Sequence, residues 1–302
     1  MSAAVVLVEA DFLADLRRIV LARLTAEGYG ADATLGTEAL LWNLLKVQHR
    51  RIEKHPRGVE WSSALRRRQP TMAADILAAL GRIVIAAESG DDLNPFLSRD
   101  LASDKAFKRE DMMLNELGVQ HLHLGEGVDA RGLVTGRDEL LFAYVAEEVV
   151  HFIEVFDHKS FGDEDAFRIA QENWPQLFEG RRSGIAPSRD PQPITPEQRK
   201  VLRSKHANVM VTATDGSLFF PPGGGITSSG MSPNILSTSD RMLDRLQELE
   251  RWCKANGTLL ADRVDEASGR RPTGFRLRFD GFEESGAMIV IDDDNRARFR
   301  FE

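Results

Sequence analysis

Apolar positions in the first ninety residues recur at three- and four-residue intervals, the spacing that sets them on one face of a helix. Residues 10–27 carry Phe12, Leu13, Leu16, Ile19, Val20 and Leu24 in such a row, with charges between them, until Gly28 and Gly30. Thr37 and Glu38 open a second helix through Leu40, Leu41, Leu44, Leu45 and Ile52, ending by Pro56. A short third helix covers residues 61–68. A fourth starts at Pro70-Thr71, turns Met72, Ile76, Leu77, Leu80 and Ile83 inward, and stops near Gly90. Asp91-Asp92 and Asn94-Pro95 then form a turn.

The period changes in the middle of the chain. A charged helix over 105–117 gives way at Gly118 to Val119-Gln-His-Leu-His-Leu124, whose alternation predicts a strand. Residues 125–136 are a Gly-rich, charged excursion. Residues 140–145 and 149–156 are strongly β-forming, with Ala146-Glu-Glu148 as their turn. A helix over 163–173 ends at Trp174-Pro175. Residues 180–196 are rich in proline and glycine with no apolar period, and read as a linker. Beyond it a hairpin turns at Asp215-Gly216, and a Gly223-Gly-Gly225 loop follows. Ser239 is expected to cap a long amphipathic helix that ends at Asn256-Gly257. Strands are predicted over 274–279, 287–291 and 297–301. The expected class is α+β, with a helical domain at 1–92 and a central small antiparallel sheet with flanking helices at 93–180. A linker at 181–200 then leads to a C-terminal α+β domain at 201–302.

Length and composition narrow the class. At roughly 150 residues per domain, 302 residues allow two or three. Hydrophobic residues at 42% and charged ones at 28% exclude a disordered tract. The single Cys253 rules out an internal disulfide framework and a Cys-rich zinc site, and its place beside Trp252 reads as packing. No apolar run approaches the ~18 residues of a membrane span. The six-residue apolar run at the start is short for a signal peptide and has no basic flank, so a reducing cytoplasm is the expected setting. A net charge of −8 argues against wholesale nucleic-acid coating. That average hides two blocks. Residues 46–68 hold eight basic side chains against two acidic ones, and residues 138–179 hold eleven acidic against two basic.

Chemistry concentrates in the middle section. Four of the seven histidines, His121, His123, His151 and His158, fall in the predicted sheet. On a strand His121 and His123 face one side, because side chains alternate. Imidazole is the side chain best suited to proton exchange near neutral pH. Two chemistries want such a cluster: metal binding, with His121 and His123 as two ligands, and metal-free RNA cleavage by an imidazole acid and base. The plainer alternative is hydrogen-bonded structural histidines.

The segments His121-Leu-His-Leu-Gly125, Gly136-Arg-Asp-Glu-Leu-Leu-Phe-Ala-Tyr144 and Val149-Val-His-Phe-Ile-Glu-Val-Phe-Asp-His-Lys-Ser-Phe161 resemble the second half of RelE-superfamily toxin ribonucleases, the YafQ branch in particular. The likeness covers about 40 of 302 residues. It implies an endoribonuclease that cuts messenger RNA on the ribosome without metal or other cofactor, in a toxin–antitoxin or phage-defence setting. His121 and His158 would then be the general acid and base. Arg137 would stabilise the transition state, Asp138 would orient an imidazole, and Phe161 would stack on a base. The middle histidine of that family falls at Val134 here, and Phe161 follows His158 by three residues instead of four. RNA or the ribosome, and an antitoxin or other protein, are the implied partners.

Further substrate contacts are expected from His123, from Arg131 and from the basic helix ending Arg66-Arg-Arg68. The glycine run at 223–225 could form an anion nest, or serve only as a connection. The competing function is a non-catalytic nucleic-acid- or protein-binding regulator that keeps the fold. A metal-dependent hydrolase using His121 and His123 is the third.

Overall fold

The computed structural model describes residues 6–103, 105–158, 160, 164–185 and 194–302. The chain opens with β1 (Leu7–Ala10), α1 (Phe12–Ala26), α2 (Thr37–Arg50), β2 (Gly58–Trp61), α3 (Ser63–Arg68) and α4 (Ala74–Ser89). The middle follows as α5 (Lys105–Lys108), α6 (Met112–Leu117), β3 (Gln120–His123), β4 (Glu139–Val145), β5 (Val149–Asp157) and α7 (Asp165–Asn173). The remainder is α8 (Pro196–Ser204), β6 (Val211–Thr212), β7 (Leu218–Phe219), α9 (Pro233–Ala255), α10 (Gly257–Ser268), β8 (Gly274–Phe282), β9 (Met288–Asp292) and β10 (Ala297–Phe301). The fold is α+β. Among the described residues no helix is long and apolar enough to cross a membrane.

Two compact units form, one of Met1–Leu45 with Ile235–Glu302 and one of Lys46–Asn234. This differs from the linear division at residues 92, 180 and 200. In the first unit β1 pairs in parallel with β8, in a sheet ordered β1-β8-β9-β10. Leu7 and Val8, at the end of the apolar run that opens the chain, thus lie in an edge strand. Asp11 caps α1, which buries Phe12, Leu16, Val20 and Leu24, and Phe12 meets Phe279 of β8 with ring centres 6.3 Å apart. Ser239, expected as an N-cap, lies buried inside α9, which begins at Pro233.

The second unit is built on a sheet ordered β2-β5-β4-β3, antiparallel except for the parallel β2–β5 pair. Its core joins Leu140 and Phe142 of β4, Ile153 of β5, Phe167 of α7 and Phe178 to Val211 and Phe219. The last two come from beyond the expected linker, and Phe167 and Phe219 pack with ring centres 5.3 Å apart. Residues 194–234 therefore belong with the central sheet. The predicted helix over 105–117 is broken, because Asp111 accepts from Leu114 N and starts a new helix, α6.

Two devices hold the post-linker segment in place. Arg199 and Arg203 of α8 both bind Glu116 of α6, and Arg199 also binds Glu164. Arg168 of α7 reaches the second oxygen of Glu164 at 2.9 Å. Burial pushes the Glu164 carboxyl up, with Arg199 and Arg168 opposing that shift. The second device is the glycine loop. The N–H groups of Gly223 and Gly225 donate to the end carbonyls of α6, Glu116 and Asn115, at 3.0 and 2.8 Å, and Gly224 N donates to Pro221 O. These amides serve as a helix C-terminal cap, so the loop is not an anion nest. A Cβ on Gly223 would collide with the Leu114 and Asn115 carbonyl oxygens. Gly223→Ala is therefore expected to lose about 1–3 kcal/mol of stability, read as a lower urea midpoint. An unchanged midpoint would mean that the loop does not press against α6.

Candidate active site

Strand β3 places His121 and His123 on one side, opposite Phe142 and Leu140 of β4. His158 follows β5, whose residue Asp157 pairs with Glu139 at the start of β4. Three of the four clustered histidines come together by this register. The rings of His121 and His123 lie 6.2 Å apart, and those of His123 and His158 6.3 Å apart. His151 points elsewhere. Its ring packs at 4.7 Å on Trp174, with Nδ1 3.3 Å from Glu60.

The three imidazoles differ in environment. Burial lowers the pKa of His121, opposed by Asp111 and reinforced by the charges of Arg50 and His158. Asp111 Oδ2 lies 3.7 Å from His121 Nδ1, while Oδ1 caps α6. Burial, then His121, His158 and Arg99, push His123 down to about 4. Its Nδ1 has no hydrogen-bond partner among the described residues. His158 is exposed, and its Nδ1 meets the main-chain oxygen of Asp138 at 3.0 Å. Burial thus disfavours the charged form of the first two imidazoles of the row, and the third is exposed to solvent.

Low imidazole pKa values couple the site to stability. Between pH 6.5 and about 4 the unfolded chain binds protons that folded His123 refuses, so the stability it confers is full above 6.5 and falls with pH. Burial of His121, His49 and His151 acts in the same direction. His123 alone is worth up to about 3 kcal/mol over that window. Urea midpoints should fall from about pH 7 to about pH 4.5, and the fall should be smaller in His123→Gln. Equal falls in the two proteins would show that His123 is not desolvated.

The other expected site residues are placed differently. Arg137 Nη1 binds Asp75 at 2.7 Å and its Nε binds Glu139 at 2.8 Å. These bonds raise its pKa, that to Asp75 first. Two carboxylates claim the guanidinium, so it holds α4 to β4 and is not poised for a phosphate. Asp138 meets His158 through its carbonyl, so the expected orienting carboxylate does not act there. Arg131 binds Asp129 at 3.1 Å within its own turn. Arg66 and Arg67 are exposed on α3, whereas Arg68 binds Glu154 and the Val155 carbonyl. Phe161 lies outside the described residues. Burial drives the Cys253 thiol up to about 12, in keeping with a packing role.

Residues that pattern reading missed complete the site: Asp111 and Arg50 beside His121, and Arg99, exposed and acting on His123. The Asp111-x-x-Leu114 spacing is an N-cap signal that would have split the long helix. Arg99 opens a 3-10 turn, Arg99–Ala102, and Arg50 ends α2, and neither position has a local signature. Among the described residues no group of three or more His, Cys, Asp and Glu side chains could hold a metal ion. No protein-family model matches this chain, and neither a curated protein nor a solved structure does so.

Proposed function

We propose that the unit spanning Lys46–Asn234 is a metal-independent endoribonuclease of RelE-like type, working on RNA in the cytoplasm. The observation that carries this reading is the row of three imidazoles with ring spacings of 6.2 and 6.3 Å. The chemistry needs one imidazole to take the proton from a ribose 2′-hydroxyl, whose oxygen attacks the adjacent phosphorus. A second imidazolium gives a proton to the departing 5′-oxygen. The products are a 2′,3′-cyclic phosphate and a 5′-hydroxyl end.

His158 is the acid in this scheme, since it is the exposed end of the row and open to a substrate. The base is His123 in preference to His121, because His123 is the direct ring neighbour of His158. His121 then backs the row, with Asp111 behind it. A toxin–antitoxin or phage-defence setting follows from the resemblance alone.

The test uses RNA and a matched strand with 2′-deoxyribose at every position, both in EDTA. Cleavage of the RNA alone, with cyclic phosphate ends, is the expected result. Equal cleavage of both strands, or loss with EDTA, would refute the reading. A translating lysate is a second arm, since ribosome-dependent cutting escapes naked RNA. The paired state of Arg137 favours a second reading, a non-catalytic RNA-binding protein. It predicts RNA retention without cutting in either arm.

A further inference from the structure

Arg50 is buried, at 7% exposure, yet among the described residues its guanidinium forms no ion pair with a carboxylate. Its hydrogen bond runs from Nη1 to the main-chain oxygen of Arg109, at 3.3 Å. Two of the nearby acids are matched by other cations. Glu110 pairs with Lys46 at 2.8 Å and Asp100 with Arg109 at 3.0 Å. Asp111 caps α6 and faces His121. A buried cation without a counter-charge is costly unless a ligand supplies one.

Space for that ligand is present. Arg50 lines a cleft of about 250 Å3 together with Arg109, Arg203 and His121, and with the carboxylates Asp100, Glu110 and Asp111. This is smaller than the roughly 300–1,000 Å3 of a typical small-molecule pocket, and suits one phosphate and its sugar better than a free cofactor. Guanidinium is the side chain best shaped for phosphate oxygens. We infer that Arg50 is a phosphate-binding residue and that this cleft takes one phosphate of a nucleic-acid strand, beside His121. The inference rests on the nuclease reading for the identity of the strand. It supplies the cation that Arg137, bound to Asp75 and Glu139, does not.

A bound phosphate also changes His121. Its dianionic or diester charge offsets Arg50, one of the charges that lower the His121 pKa. The imidazole should then protonate at higher pH when the cleft is filled. The probes are inorganic phosphate and a 2′-O-methyl tetranucleotide, which cannot be cut because its 2′-oxygen carries no proton. Histidine ring resonances of the full chain are followed by NMR, with His121 assigned through His121→Gln.

Saturable movement of His121 is expected with both probes, with His151 unmoved. Tetranucleotide affinity should weaken about 10- to 100-fold in Arg50→Met, the range for one charge-assisted contact, and less in Arg50→Lys. Movement of His121 with inorganic phosphate but not with the tetranucleotide would overturn the strand assignment. Equal affinity in wild type and Arg50→Met would overturn the site. Should Arg50→Met fail to fold, the wild type decides, since a His121 resonance that neither probe moves also overturns it. Arg50-dependent binding in a protein that never cuts RNA would refute the nuclease reading and leave this one standing.

Discussion

Glu116→Ala is expected to lower stability by about 3–5 kcal/mol, the largest single effect in the molecule. Glu116 is 5% exposed at its side chain and holds two guanidiniums, Arg199 at 2% and Arg203 at 8%. Its removal takes a shared carboxylate from two buried cations, of which Arg199 keeps Glu164. A domain holds only about 5–15 kcal/mol in total, so the loss would bring this unit near its limit. Urea unfolding followed by tryptophan fluorescence reads it. The cost lies in the orphaned charges and not in the lost pair. Replacing the trio with Glu116→Leu, Arg199→Met and Arg203→Leu should therefore cost less than the single change. A triple variant weaker than Glu116→Ala would show that the cluster is a net source of stability.

His158→Ala should reduce RNA cleavage by about 10²–10⁴-fold, the usual worth of a positioned acid or base. His123→Ala should fall in the same range. The stability change in His158→Ala should stay near 1 kcal/mol, since His158 is exposed and bonds a main-chain oxygen. Arg137→Ala should behave in the opposite way, with lower stability and cleavage within a few-fold of wild type, because its partners are Asp75 and Glu139. Cleavage rates beside thermal midpoints separate the two patterns. A large rate loss in Arg137→Ala would return it to the site.

Local pattern carried most of the elements but not their assembly. The strands at 119–124, 140–145 and 149–156 were readable because β-branched and aromatic residues alternate between clear turns. The pairing of Leu7–Ala10 with Gly274–Phe282 was not readable, since a four-residue edge strand has too little period to mark itself. Domain limits failed for the same reason. A proline-rich stretch looks like a boundary, yet Val211 and Phe219 beyond it complete the central core. Within the site, the strand period correctly put His121 and His123 on one face. What Arg137 does was set by Asp75, 62 residues away, and no spacing rule reaches that far. The glycine run misled because a nest and a helix cap use the same freedom of glycine, and only the partner atoms tell them apart.

The most direct test of the account compares wild type and His158→Ala on RNA in EDTA, as naked strand and in a translating lysate. Wild-type cleavage in at least one arm, reduced at least about a hundredfold in the variant, is the predicted result. Wild-type protein that leaves RNA whole in both arms, or a variant that cuts as fast as wild type, would contradict the imidazole row as a catalytic site.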